Sequence, residues 1–381
     1  MSEQAPDLLF DLNLTEEQRI MRESLARFSD VEVASISRQA DEAGKAPEGF
    51  YDKTAELGLS LLSIPEAFGG AGVPRSVLSN MLNAEDLGKG DMSLALGALT
   101  PLSFVNMILD YGTEDQQEKY LTPIADETFK VATVALMEPR ATFDATSSKT
   151  ASIETTSVLS GSGYVLNGEK SMVALAEDAL HILVVAQCDD RDDGYVGAFI
   201  VDKGAEGLTI EKESFMGLRP LGLYRVTLRD VRVNVDARLG SDARPFDVQR
   251  LADLGSIGLS AAVVGCCQAV VDYVIPYVNE RVAFGEPISN RQSVAFMVAD
   301  MATELEAMRL MVYRAASRAE QGLDFHKEAY LARVLVAERA MEIGTNGVQL
   351  LGGHGFTREH PVELWYRNLR AMGILQGVAI V

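Results

Sequence analysis

The sequence predicts an α+β fold built as helices, then a block of short strands, then helices again. Three observations carry this. Residues 12 to about 128 are punctuated as helices. Residues 129 to about 240 switch to β-rich runs separated by turn residues. From about 245 onward apolar residues recur at spacings of three and four. The expected division is an all-α domain over 1–128, a middle β-domain over 129–241 holding an antiparallel sheet or barrel, and a C-terminal helical bundle over 242–381.

Each region has local signals. Thr15-Glu16-Glu17-Gln18 is a capping box ahead of Ile20, Met21 and Leu25, so a helix starts there. Pro65, Gly69, Gly70 and Gly72 break the helical pattern over Ser60 to Gly72, a loop. Asn83 to Leu96 and Gln116 to Leu121 return to helix. Val131 to Leu136 opens the strand region. Asn167-Gly168, between Gly163–Leu166 and Glu169–Val173, predicts a tight hairpin turn. Ile182 to Ala186, Val196 to Val201, Leu208 to Ile210 and Arg225 to Val233 supply further strands. Leu254 to Val271 is uncharged for 18 residues, at the lower limit of a membrane span, but its Gly, Ser and Gln content reads as a buried core helix. Val294, Met297, Val298, Met301, Leu305, Met308 and Val312 form one apolar stripe, read as core. Tyr330 to Leu350 is apolar over much of its circumference, which predicts burial on several sides.

Composition narrows the function. A net charge of −21 repels nucleic acid and anionic lipid at long range, while leaving room for an anionic ligand at a local basic cluster. Cys188, Cys266 and Cys267 lack CxxC spacing, which argues against a zinc site or disulfide framework and fits a reducing cytoplasm. The acidic first eleven residues lack a basic-then-apolar pattern, so no secretory signal is expected. No GxSxG or Walker A sequence occurs. Gly353-His354-Gly355 does not complete a GxGxxG and follows a helical segment. The four histidines, His181, His326, His354 and His360, form no HExxH pair; they read as surface or cap residues, and no metal is expected.

A chain of short segments does carry chemistry. Gly58 to Gly72, Glu85 to Lys89, Tyr111 to Leu121, Leu136-Met137-Glu138-Pro139 with Asp144, Asn167-Gly168-Glu169-Lys170, Met216-Gly217-Leu218-Arg219 with Asp230 to Val233, Arg281 to Gly285 with Ile288 and Gln292, Gln349 to Gly353 and Ile374 to Gly377 occur in this order. Together they resemble the acyl-CoA dehydrogenase family over nearly the whole sequence. The resemblance implies an N-terminal helical domain, a middle antiparallel β-barrel domain and a C-terminal four-helix bundle. It implies an FAD lying between domains and partly across a subunit boundary, hence a homo-oligomer, with an acyl-CoA thioester as substrate and an electron-transfer flavoprotein as partner. Carried over residue by residue, it assigns Arg281, Phe284, Gln292, Gln349 and Gly353 to the dinucleotide, Met137 and Ala174 to the flavin ring, and Asp253 and Gly377 to the substrate. A guanidinium offers forked donors to phosphate and an aromatic ring a packing face. The plain structural alternatives are a solvated helix end for Arg281, a loop anchor for Phe284, a helix C-cap for Gly353 and a helix-cap carboxylate for Asp253.

The sequence leaves the family pattern around the flavin ring and the thioester. Met137 stands for Ser or Thr, Thr142-Phe143 for Gly-Ser or Gly-Thr, and Met172-Val173-Ala174 for Trp-x-Thr. Gln376 occupies the position of the Glu that takes the α-proton, and Gly255 the alternative position; Ser256 replaces an Arg, and Gly377-Val378-Ala379 a Gly-Thr-Ser. The sequence stops at Val381, where the family pattern runs on. A neutral amide is no base. A positioned base contributes roughly 10²- to 10⁴-fold. The backbone N–H at 376 remains available to polarise a carbonyl. The leading expectation is α,β-dehydrogenation of an acyl-CoA with hydride transfer to flavin N5. The alternatives are altered flavin chemistry on a non-standard acyl group, or a non-catalytic acyl-CoA-binding subunit that pairs with an active homologue.

Overall fold

The computed structural model describes residues 14–59, 61–126, 128–140, 153–189, 195–241 and 243–381. Thr142, Phe143 and Asp144 lie outside the described residues. In chain order the helices are α1 Glu16–Phe28, α2 Ala34–Ala43, α3 Phe50–Glu56, α4 Val77–Gly90, α5 Met92–Ala98, α6 Thr100–Tyr111 and α7 Glu114–Leu121. The strands follow: β1 Ala132–Ala135, β2 Thr156–Ser160, β3 Gly163–Ala174, β4 His181–Cys188, β5 Tyr195–Asp202, β6 Leu208–Lys212, β7 Leu223–Asn234 and β8 Arg238–Leu239. Then come α8 Val248–Glu280, the two-residue strands β9 Val282–Ala283 and β10 Glu286–Pro287, α9 Gln292–Glu320, α10 His326–Leu351 and α11 Val362–Leu369.

By contact the described residues fall into two compact units. One takes those of Met1–Arg38, with Ser76–Met92 and Ser256–Gly373; the other takes Gln39–Arg75, Ser93–Gly255 and Ile374–Val381. The last eight residues therefore belong with the sheet, not with the bundle that precedes them.

In the sheet-bearing unit the strand order is β6-β7-β3-β2-β4-β5-β8, with β1 beside β4. Most pairs are antiparallel, as the unbroken run of strands predicts; β1 and β2 run parallel to β4. The chain reverses once between β2 and β3 and again before β4, which returns β4 to the direction of β2. Ile182, Val184, Phe199, Val201, Val226 and Val231 are 0–2 % exposed and form the centre of the sheet's core.

The hairpin predicted at Asn167-Gly168 is not there. β3 runs straight through it, and the turn falls between β2 and β3 instead. At Asn167 the pairing of β3 with β7 slips by one residue, a bulge. The Asn167 amide bridges to β7, donating to Asp230 Oδ1 at 3.1 Å and accepting from Asp230 N at 2.8 Å. Gly168 has φ +148°, and a Cβ there would lie 2.6 Å from Thr155 Cα. Asn-Gly thus serves a bulge packed on backbone rather than a turn. Gly168→Ala is expected to lower stability by about 2 kcal/mol, read as a lower urea midpoint with an unchanged slope.

In the helical unit, the capping box forms as predicted: Thr15 Oγ1 accepts from Gln18 N at 3.2 Å and Gln18 Oε1 from Thr15 N at 3.0 Å. Arg22 forks onto Asp86 at 2.6–3.2 Å, and Arg309 bonds Glu85 at 2.8 Å, joining α1, α4 and α9. Gly88 and Gly265 allow α4 and α8 to cross closely: a Cβ on Gly265 would sit 2.0 Å from Glu85 O. The charge-free stretch of α8 is core, with Leu254, Ile257, Leu259 and Cys266 at 0 % exposure. Among the described residues, two helical windows are long and apolar enough to cross a membrane, and each is 94 % buried. The Met stripe of α9 is core only from Met301 to Val312; Val294, Met297 and Val298 are half-buried. α10 corrects the expectation of burial on several sides. Ala329, Ala332, Val336, Ala340, Ile343 and Gly347 form one buried face, while Tyr330, Leu331 and Val334 are exposed at 37–47 %. Apolar content alone does not distinguish a helix enclosed by its own chain from one with an uncovered outer face.

Candidate active site

The catalytic-position residues gather in the sheet-bearing unit. β1 ends at Ala135 and delivers Leu136-Met137-Glu138. The Gln376 N–H donates to Met137 Sδ at 3.1 Å. Gly377 has φ +75°, and a Cβ there would be 2.8 Å from Leu136 Cβ, so glycine is required for the segment to lie this close. On its other side the segment faces α8: a Cβ on Gly255 would meet Val378 O at 3.3 Å and Ile380 Cγ1 at 3.6 Å. The following residues are fixed by polar groups on α6 and the loop before α4. Ser103 Oγ accepts from Ile380 N at 2.9 Å, Asn106 Nδ2 donates to Ile380 O at 2.8 Å, and Arg75 Nη2 donates to Val381 O at 2.5 Å. Both positions considered for a base, 255 and 376, therefore meet at one place, and neither carries a carboxylate.

Asp253 is 4 % exposed and accepts from Gln249 Nε2 at 3.0 Å, one turn earlier on α8. It lies inside the helix, so the helix-cap reading fails. Asp247 does the capping, through Arg250 N at 3.0 Å.

β3 supplies the second wall. Ser171 N donates to Met137 O at 3.0 Å, and Glu213 accepts from Ser171 Oγ at 2.9 Å and Met172 N at 2.8 Å. Pairing with β7 slips again between Lys170 and Val173, and Met172 and Leu175 take left-handed φ values of +55° and +51°. Such values in non-glycine residues persist only where the surroundings enforce them. Ala174 is buried opposite Leu223 and offers no hydroxyl.

Behind these segments lies an ion pair that motif reading did not reveal. Lys170 Nζ donates to Glu138 Oε1 at 2.7 Å and to Leu136 O at 3.2 Å; the two side chains are 0 % and 3 % exposed. Glu138 also accepts from Glu154 N at 2.6 Å and Thr155 N at 2.9 Å. Burial pulls Lys170 down to about 8, against the opposing pull of Glu138. Burial would push Glu138 up, but the Lys170 charge and the donors around it hold its carboxyl below the usual range. The signal lay in the sequence: Leu-Met-Glu-Pro holds one charge, Glu138, and Asn-Gly-Glu-Lys holds two, of which Lys170 has the opposite sign to Glu138.

The dinucleotide candidates lie in the helical unit. Arg281 follows the end of α8, Phe284 sits in the β9–β10 turn at φ +58° and 96 % exposure, and Gln292 opens α9. Among the described residues no group pairs with the Arg281 guanidinium, whereas Arg291 bonds Glu286 at 3.1 Å and lies 5.7 Å over the Phe284 ring. Phe284 is no loop anchor, because its ring is in solvent. Gln349 and Gly353 are exposed at the end of α10; the capping residue is Gly352, at φ +58°, rather than Gly353. Two tyrosines spaced four apart on α8 hold this turn. Tyr277 Oη bonds His354 Nδ1 at 2.8 Å, Tyr273 Oη bonds His360 Nδ1 at 2.7 Å, and the two imidazoles stack at 5.2 Å. His354 and His360 are thus half-buried partners of tyrosine, not surface residues. Cys266 and Cys267 are fully buried, and burial pushes both thiols up, away from nucleophilic use.

An exposed guanidinium, an exposed aromatic ring and amides around a glycine turn fit the phosphates and base of a dinucleotide. The β3 wall fits a flavin through backbone groups rather than hydroxyls. The family models for the N-terminal, middle and C-terminal domains of acyl-CoA dehydrogenase match residues 15–128, 134–231 and 248–379. A short-chain specific acyl-CoA dehydrogenase of Clostridium acetobutylicum is 33 % identical over 377 residues, covering 97 % of both chains. A caffeyl-CoA reductase-Etf complex subunit, CarC, of Acetobacterium woodii is 34 % identical, covering 96 % of both. The solved structure of butyryl-CoA dehydrogenase from Megasphaera elsdenii is 30 % identical, with a TM-score of 0.85, covering 97 % of this chain and 96 % of that one. The chain belongs to the acyl-CoA dehydrogenase family. It is an FAD-dependent oxidoreductase of the class that acts on CH–CH groups.

Proposed function

We propose that this protein catalyses α,β-dehydrogenation of an acyl-CoA thioester, and that Gln376 makes the proton-removal step slow. The observation that carries the reading is the seating of Gln376-Gly377 against Leu136-Met137, within a chain that matches the family from end to end. Arg281, Phe284, Gln292, Gln349 and Gly353 would hold the FAD dinucleotide; Met137, Ala174 and the backbone around Met172 would face its ring. When bound, FAD supplies the two-electron acceptor for the β-hydride. The Gln376 N–H polarises the thioester carbonyl and so acidifies the α-carbon. Its side chain cannot take the proton, which leaves to water. Asp253 and Gly377 would position the pantetheine and carbonyl end of the substrate.

The related names favour a short acyl chain and an electron-transfer flavoprotein as oxidant. The near-complete exposure of Phe284 and Phe356, 96 % and 91 %, favours a homo-oligomer, dimer or tetramer, with pairing to an active homologue as the alternative assembly. Cytoplasmic residence and the three-domain division at about 128 and 241 belong to the same proposal.

The purified protein should carry FAD, and butyryl-CoA should bleach its flavin absorption slowly under anaerobic conditions. Purification without flavin, or a bleaching rate typical of a fast dehydrogenase, would count against the reading.

A further inference from the structure

The carbonyl-polarising donor is already engaged. The Gln376 N–H points at Met137 Sδ, 3.1 Å away, and Met137 is 6 % exposed. Its backbone is fixed from both directions: Met137 O accepts from Ser171 N at 3.0 Å, Leu136 O accepts from Lys170 Nζ at 3.2 Å, and Glu138 is locked in its ion pair. Beyond Cβ, the side chain's hydrogen bond among the described residues is the one from Gln376 N–H. A methionine has three rotatable bonds and adapts to its surroundings at small cost. A thioether is also a weak acceptor, so a carbonyl oxygen offered to the same N–H replaces it. A Ser or Thr at 137, the residue types of the family pattern, ends one atom past Cβ and could not extend to the donor as a thioether does.

We propose that the Met137 thioether is a resident occupant of the Gln376 backbone donor, and that an acyl thioester binds by displacing it, so that residue 137 sets acyl-thioester affinity. The inference rests on the reading that the thioester carbonyl meets Gln376 N–H. It has a consequence for selectivity. A ligand with a carbonyl at that point recovers a stronger hydrogen bond than it breaks. Free CoA has none and leaves the sulfur seated.

The test uses the full-length FAD-loaded protein, titrated calorimetrically with butyryl-CoA and separately with free CoA, for wild type and Met137→Leu. Leucine keeps the apolar bulk and removes the acceptor. Butyryl-CoA should bind the variant about fivefold tighter, the size expected when one weak competing hydrogen bond is lost. Free CoA should bind both proteins equally. Equal butyryl-CoA affinity in the two proteins, weaker binding to the variant, or a gain shared by free CoA, overturns the proposal. A second measurement needs no folded variant. In wild type labelled with ¹³C-methyl methionine, the Met137 methyl resonance should move on addition of butyryl-CoA and stay on addition of free CoA. A stationary resonance alongside normal butyryl-CoA binding sinks the displacement while leaving the acyl-thioester reading intact. Failure of both proteins to bind butyryl-CoA sinks that reading and the inference with it.

Discussion

Gln376→Glu is expected to accelerate anaerobic flavin bleaching by butyryl-CoA by roughly 10²- to 10⁴-fold, the usual contribution of a positioned base. In barrier terms that is about 3–5 kcal/mol. The backbone needs no rearrangement for this. Gly377 already fits against Leu136, and the 376 N–H already lies against Met137 Sδ. The new carboxylate would lie in a half-buried position next to Met137, where partial desolvation raises its pKa. The rate should therefore climb with pH through a value above that of an ordinary glutamate. A sharper comparison is Gly255→Glu. A Cβ at 255 is already 3.3 Å from Val378 O, so a side chain there is crowded by the same segment and should rescue far less. If Gln376→Glu leaves the bleaching rate unchanged or abolishes it, the idea of a dehydrogenase slowed by a missing base fails.

Much of the fold was legible because it rests on local rules. The Thr15–Gln18 capping box, the strands from Ile182 to Val233 and the uncharged helix at Leu254 follow from cap chemistry and periodicity alone. The misreadings arose where tertiary structure decides. Asn167-Gly168 has turn chemistry, but cross-strand bonding to Asp230 and packing on Thr155 make it a bulge. Asp253 resembles a cap only if the helix begins at 253; it begins at Val248. The partners of His354 and His360 are tyrosines some eighty residues earlier, and only their spacing of four on α8 hinted at a shared face. The proposed loss of a base rests on one letter, Gln376. That position 255 packs against the segment following 376 needed coordinates.

Glu138→Gln is expected to destabilise the protein by about 3–5 kcal/mol, because it leaves the Lys170 ammonium buried without its counter-charge. Lys170 is 0 % exposed. Its other acceptor, Leu136 O at 3.2 Å, is neutral. The loss should depend on pH, with a sign that follows from protons. In the folded state Lys170 titrates near 8, below its ordinary value of 10.5. Between those values the unfolded chain holds a proton that the folded chain has shed, so this residue's contribution rises with pH across that window. In Glu138→Gln the folded value drops further and the window widens downward. The variant should therefore regain stability on moving from pH 7 to pH 9 by more than wild type does. Glu138→Gln combined with Lys170→Met removes the charge altogether, and the amide oxygen can still accept one of the two bonds from Glu154 N and Thr155 N. Replacing a buried pair together costs much less than breaking it, so the double variant should recover most of the loss in urea denaturation. If the double variant is no more stable than Glu138→Gln alone, the buried charge is not what the substitution exposed. The proposed flavin site gives the pair a second readout. The pair joins the segment after β1 that carries Met137 to β3, which carries Ser171 and Met172, so a folded single variant should hold FAD less tightly than the double variant at equal temperature.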